Sequence, residues 1–262
     1  MSGPIRPIAV VTGGSRGIGA RICERLVTTG FDVHFCYRNA RRRAEATEAR
    51  VRMSHPDATV RGHRADITEP RALTEFAAAV GETGRAVTAL VLNASGGMER
   101  GAPAGYADLV NGEAQVAVLE AFASLLRPGA SVVYLTSLQS HGFGTIEEFD
   151  SYYAIARSKY RGEQLVGRWC RAAGRVLALT TVVSDMVEGT PAALLMDLRE
   201  PAASQDRRRA ALRSGAALPT VDAVARQVEL AVTATRFPGS YVDYVAGGPV
   251  IETLGTTTGS GR

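Results

Sequence analysis

The stretch Val10-Val11-Thr12-Gly13-Gly14-Ser15-Arg16-Gly17-Ile18-Gly19 constrains this chain more than any other. An apolar run, Ile8 to Val11, stops at a cluster of glycines. The spacing of Ile22, Leu26 and Val27 then predicts a helix. Strand, glycine turn and helix together form a setting in which such glycines acquire a job. Gly13 permits a tight turn, Gly17 lets the backbone approach a pyrophosphate, and Gly19 lets helix pack closely on strand. Phosphates would sit at the helix N-terminus, where unpaired N–H groups and the positive dipole end favour anions. The stretch therefore predicts a dinucleotide site built from Gly13, Ser15, Arg16, Gly17, Ile18 and Gly19.

A chain of 262 residues, 45% hydrophobic, can bury one full α/β core. Strand and helix patterns alternate along it. Strands are predicted at 31–37, 60–63, 89–93, 131–137, 176–183 and 241–246, and helices at about 40–53, 69–80, 104–126, 151–172 and 222–232. The helix over 104–126 is expected to break near Asn111-Gly112. This order predicts a doubly wound, Rossmann-type parallel sheet in three α/β/α layers. The expected organisation is a single reductase-type domain over 1–255 with a flexible tail at 256–262. Residues 184–217 carry prolines, charges and small residues without a steady period, and are expected to be an irregular, mobile lid.

The net charge of +4 does not point to nucleic acid. Arginines are scattered, clustering only at Arg41-Arg42-Arg43 and Arg207-Arg208-Arg209, with no aromatic residues between them. No leader and no membrane-spanning run is read, so a cytoplasmic protein is expected. Cys23, Cys36 and Cys170 have no paired spacing and read as buried thiols of a reducing compartment, and no metal-ligand spacing occurs. Lys159 is the only lysine among many arginines, which suggests a task that arginine cannot do.

Thr-Gly-x-x-x-Gly-x-Gly at 12–19 resembles the short-chain dehydrogenase/reductase family, and further matches run almost to the C-terminus. The resemblance implies an NAD(P)-dependent oxidoreductase acting on C=O or CH–OH groups, and a homodimer through two long helices. The second strand ends in Tyr37-Arg38-Asn39, without the acid that holds an NAD ribose. Arg16 and Arg38 could jointly grip a 2′-phosphate, so NADPH/NADP is the expected cofactor. By resemblance, Asn39, Asp66, Ile67, Asn93, Ala94, Ser95, Lys159 and Val187 complete the cofactor set. Asn93-Ala94-Ser95-Gly96 stands where the family has Asn-Asn-Ala-Gly, and Ser184-Asp185 where it has Pro-Gly.

The resemblance also implies a catalytic Ser, Tyr, Lys and Asn. Ser137 matches the Ser, Lys159 the Lys and Asn111 the Asn, which would support a water relay to the lysine. The Tyr-x-x-x-Lys pair is where this chain departs. Residues four apart share a helix face. Four before Lys159 stands Ile155, and four after Tyr153 stands Arg157. Because Lys159 is unique and Ser158-Lys159 is followed by Arg161-Gly162-Glu163-Gln164-Leu165, the Ile155/Lys159 register is preferred. On an α-helix Tyr153 lies about 240° around from Lys159, and Tyr152 faces the same way but roughly 10 Å along the axis.

With no tyrosine in the acid's place, a phenol of the substrate beside its ketone could supply the proton. The chain is similar in this to atypical angucyclinone ketoreductases of the simocyclinone type, which implies an aromatic polyketide substrate. Ser95, His141, Tyr152 and Tyr153 are the expected substrate-lining residues. Two alternatives stay open: an ordinary reductase using Tyr153/Arg157, and an inactive NADP-sensing regulator.

Overall fold

The computed structural model describes residues 5–146, 149–172 and 176–246. The expected tail at 256–262 and the Gly247-Gly248 pair lie outside the described residues. Seven parallel strands form one sheet in the order β3-β2-β1-β4-β5-β6-β7. They are β1 (Ile8–Thr12), β2 (Asp32–Tyr37), β3 (Val60–Arg64), β4 (Val87–Leu92), β5 (Leu126–Ser137), β6 (Ala178–Ser184) and β7 (Gly239–Tyr244). The order reverses between β1 and β4, which opens a crevice at the carboxyl ends of these strands.

Helices cover both faces, because strands buried on two sides must be apolar throughout, as IAVVT in β1 and VTALVL in β4 are. On one face lie α1 (Gly17–Thr28), α2 (Arg41–Ser54) and α10 (Val221–Thr233), packed on Val11, Val33, Val91 and Val133. On the other lie α3 (Pro70–Gly81), α5 (Ala114–Phe122) and α7 (Tyr153–Ala172), packed on Val10, Leu90, Val132 and Tyr134. The break expected near Asn111 is present: α4 (Tyr106–Asp108) passes through a π-helical stretch, Leu109–Glu113, into α5. A short helix, α6 (Leu138–His141), follows β5, and a 3-10 turn, Asp150–Tyr152, precedes α7.

The expected irregular lid is instead two helices, α8 (Pro191–Arg199) and α9 (Pro201–Arg213). Pro191 and Pro201 are not breakers here. Each opens a helix, where the missing N–H costs nothing, and Thr190 caps α8 by accepting from the Ala193 N–H. The two helices carry a satellite core of Ala193, Met196 and Ala211 packed with Phe149, Tyr152, Ile155 and Met186. Ion pairs hold them down: Arg207 to the buried Asp185 at 2.9 Å, and Arg208 to Glu188 and Asp197 at 2.7 and 2.6 Å. Glu200, between the helices, accepts from the Asp150 and Ser151 N–H groups, tying α8 and α9 to the turn that carries Tyr152.

Candidate active site

One cavity of about 670 Å³ runs along the crevice, from the glycine turn to the N-terminal half of α7. At the glycine end the backbone does the work. Gly13 and Gly17 take φ of +70° and +54°, a region that other residues rarely adopt. A Cβ on Gly19 would lie 2.2 Å from the Gly13 carbonyl oxygen, so only glycine lets α1 start this close to β1. Around Gly17 the space is open. No side chain caps the start of α1 and no acid lies in its first turn, which leaves N–H donors for a pyrophosphate. The residues present fit a dinucleotide.

Arg38 reaches across this end. It donates to the Tyr106 hydroxyl and stands 3.5 Å from Glu99 and 3.9 Å from Asp66. Asn39, Asp66, Ile67, Ala94, Ser95 and Val187 line the cavity as expected. Asn93 lines it too, but its amide is engaged with the Thr12 and Gly13 carbonyls at 2.9 and 3.2 Å, so it holds the turn's shape. Arg43 also lines the cavity and is missed by the sequence reading, which treats Arg41-Arg42-Arg43 as one charge run. A helix period would have separated it, since only one face of α2 turns inward.

At the far end stand Ser137, Tyr152, Ile155 and Lys159. Ser137 ends β5 and caps α6, its hydroxyl accepting from the Ser140 N–H at 3.2 Å and lying 2.6 Å from the Ser140 hydroxyl. Lys159 keeps some surface open to the cavity, yet the protein around it pulls its ammonium down to about 8, against the charge of Glu163. Ile155 stands one helical turn ahead, buried, with its end packed under Gly97.

Two expectations fail here, those for His141 and Tyr153, and the side chain of Asn111 is constrained. Asn111 is buried and fully engaged: its Oδ1 accepts from Ser95 Oγ and the Gly96 N–H, and its Nδ2 donates to the Gly96 carbonyl and Ser158 Oγ. It clamps the loop after β4 to α7 and does not line the cavity, so its side chain has no group left for a relay. His141 is turned away, its Nδ1 bonded to Glu163 at 2.8 Å. Tyr153 is 52% exposed with its ring against Phe143, and Arg157 pairs with Asp108 on the outer face, so the Tyr153/Arg157 dyad does not reach the cavity.

Tyr152 does line it as expected, carried by the 3-10 turn that precedes α7. The phenol is buried, which pushes its pKa up, and the Ser137 and Ser140 hydroxyls favour its ionised form. A protein phenol thus stands beside the serine.

The family profile described as short chain dehydrogenase matches residues 7–141. The chain belongs to the short-chain dehydrogenase/reductase family. No curated protein matches it. A short-chain dehydrogenase from Burkholderia cenocepacia J2315, solved in complex with NADP, is 25% identical with a TM-score of 0.75, the match covering 92% of this chain and 97% of that one. An NADPH-bound short-chain oxidoreductase of Pseudomonas aeruginosa PAO1, described as containing an atypical catalytic center, is 22% identical with a TM-score of 0.73 over 92% and 97%. Levodione reductase is 17% identical with a TM-score of 0.75 over 92% and 96%. These last two share the fold with this short-chain dehydrogenase/reductase.

Proposed function

We propose that this short-chain dehydrogenase/reductase is an NADPH-dependent ketoreductase. Its substrate would be a polycyclic aromatic polyketide of angucyclinone type, one ketone of which is reduced to a secondary alcohol in antibiotic biosynthesis. The observation that carries the reading is Ile155. An aliphatic side chain occupies the place one turn before Lys159, in the same cavity as Ser137. Arg16, Arg38 and Arg43 would hold the 2′-phosphate, and the open backbone at Gly17 the pyrophosphate. The resemblance to a structure in complex with NADP supports that choice of cofactor.

When bound, the nicotinamide supplies a hydride to the carbonyl carbon. Ser137, whose oxygen already accepts from the Ser140 N–H, can donate a hydrogen bond to the carbonyl oxygen and so polarise it, keeping its own proton. Lys159 would hold the nicotinamide ribose and offset the negative charge that develops beside it. A substrate phenol next to the ketone, with a pKa of about 10, then gives its proton to the alkoxide. The helices α8 and α9, with Leu195 and Met196 on the cavity wall, form an apolar lid suited to a flat ring system.

The test compares a substrate with and without the hydroxyl beside the ketone. Removal should slow NADPH oxidation by about 10²-fold or more, and equal rates sink substrate assistance. The position of Tyr152 beside Ser137 favours a second reading, in which Tyr152 is the donor. Tyr152→Phe separates them: less than about tenfold loss of kcat supports the substrate, and a loss of about 10²–10⁴-fold makes Tyr152 the acid.

A further inference from the structure

Behind the cavity, α7 carries a carboxylate that the proposed reaction does not use. Glu163 follows Lys159 by four residues and so lies on the same helical face, one turn on. Its side chain is only 14% exposed. One oxygen, Oε1, accepts from His141 Nδ1 at 2.8 Å, and the other, Oε2, is buried without a partner. His141 ends α6, and its ring meets Tyr244 of β7 edge-on with centroids 6.0 Å apart. From β5, the Tyr134 hydroxyl donates to the Lys159 carbonyl at 3.0 Å and feels the charge of Glu163. Tyr152 and Asp185, the latter paired with Arg207 at 2.9 Å, are further titratable groups lining the cavity.

A buried carboxylate oxygen without a partner costs stability and adds nothing to packing. A buried ammonium has the opposite need, since without an opposite charge it sheds its proton. Asn111 cannot support Lys159 through its side chain, which is committed to Ser95, Gly96 and Ser158. We propose that Glu163, fixed by His141, is a positioning carboxylate that keeps Lys159 charged in the cavity. The charged form is the one able to hold ribose hydroxyls and face a developing anion. To that extent the inference rests on the proposed reductase chemistry.

The test reads the lysine directly. Lys159 is the only lysine in the chain, so the full-length protein labelled with ¹³Cε-lysine gives one lysine side-chain signal. Its pH titration needs neither substrate nor turnover. Glu163→Gln should move the midpoint down by about one unit or more, with Glu163→Asp, which keeps the charge, restoring most of it. His141→Ala should move it down by less. The alkaline loss of NADPH binding, followed by nucleotide fluorescence, should shift in parallel. An unmoved midpoint in folded Glu163→Gln overturns the inference. Should that variant not fold, a midpoint that stays put in His141→Ala overturns it instead. Absence of ketone reduction with a shifted midpoint defeats the reductase reading and leaves the lysine's counter-charge standing.

Discussion

The two ends of the cavity are built from different materials. At the glycine end the site is backbone: Gly13, Gly17 and Gly19 shape a turn whose free N–H groups face the crevice, while Arg38 and Glu99 remain 43% and 39% exposed. At the lysine end the site is side chains brought from three elements: Ser137 from β5, Tyr152 from a 3-10 turn, Ile155 and Lys159 from α7. Backbone sites tolerate almost no change of residue, and exposed charges around them are nearly interchangeable with water. Buried side chains lie between these extremes. Each alters its neighbours' chemistry, as the crowding around Lys159 alters its proton affinity.

The contrast predicts a ranking of effects. Gly19→Ala should be the most damaging, because the new Cβ would meet a backbone oxygen at 2.2 Å and no rotamer can relieve it. NADPH binding should become undetectable by fluorescence titration, with a lower melting temperature. If binding survives, the backbone is not the determinant claimed. Next comes Ser137→Ala, where loss of a carbonyl donor should lower kcat by about 10²–10³-fold with little change in KM for NADPH. A rise in KM alone would return Ser137 to a capping role for α6.

Arg38→Ala should weaken NADPH by about tenfold, about 1.4 kcal/mol, and leave NADH unchanged. The value is low because the guanidinium is solvated and already shared with Glu99, Asp66 and Tyr106. Equal losses for both nucleotides would mean that the arginine does not read the 2′-phosphate. The smallest effect is expected from Glu99→Gln. Removing this competing anion should tighten NADPH only a few-fold at low salt, and the gain should vanish at about 1 M salt, where screening acts over about 3 Å. A gain that persists at high salt would make Glu99 a structural clamp.

Much of the glycine end was legible in the chain, since few residues other than glycine adopt those turns and the chemistry is contained in ten consecutive positions. The lid was not, because Pro191 and Pro201 read as interruptions when considered alone. Thr190-Pro191 is in fact a helix-start signal: a capping hydroxyl followed by a residue that needs no N–H partner. At the lysine end the placement of Ile155 and Lys159 on one face of one helix was legible, being local. Tyr152 lines the cavity as expected, from a 3-10 turn before α7 rather than from inside a continuous helix. His141 was misassigned because its partner, Glu163, is distant in sequence.

By itself the sequence determined the glycine turn, the alternation that makes a parallel sheet, and the presence of a single lysine with no tyrosine four residues before it. Those features depend on backbone conformation and helix period, which are short-range. The tertiary structure alone decided that Asn111 is occupied, that Tyr152 stands beside Ser137, and that His141 is attached to Glu163. Hydrogen bonds and charges act through space, and which groups meet is settled only when β5, α6 and α7 have packed.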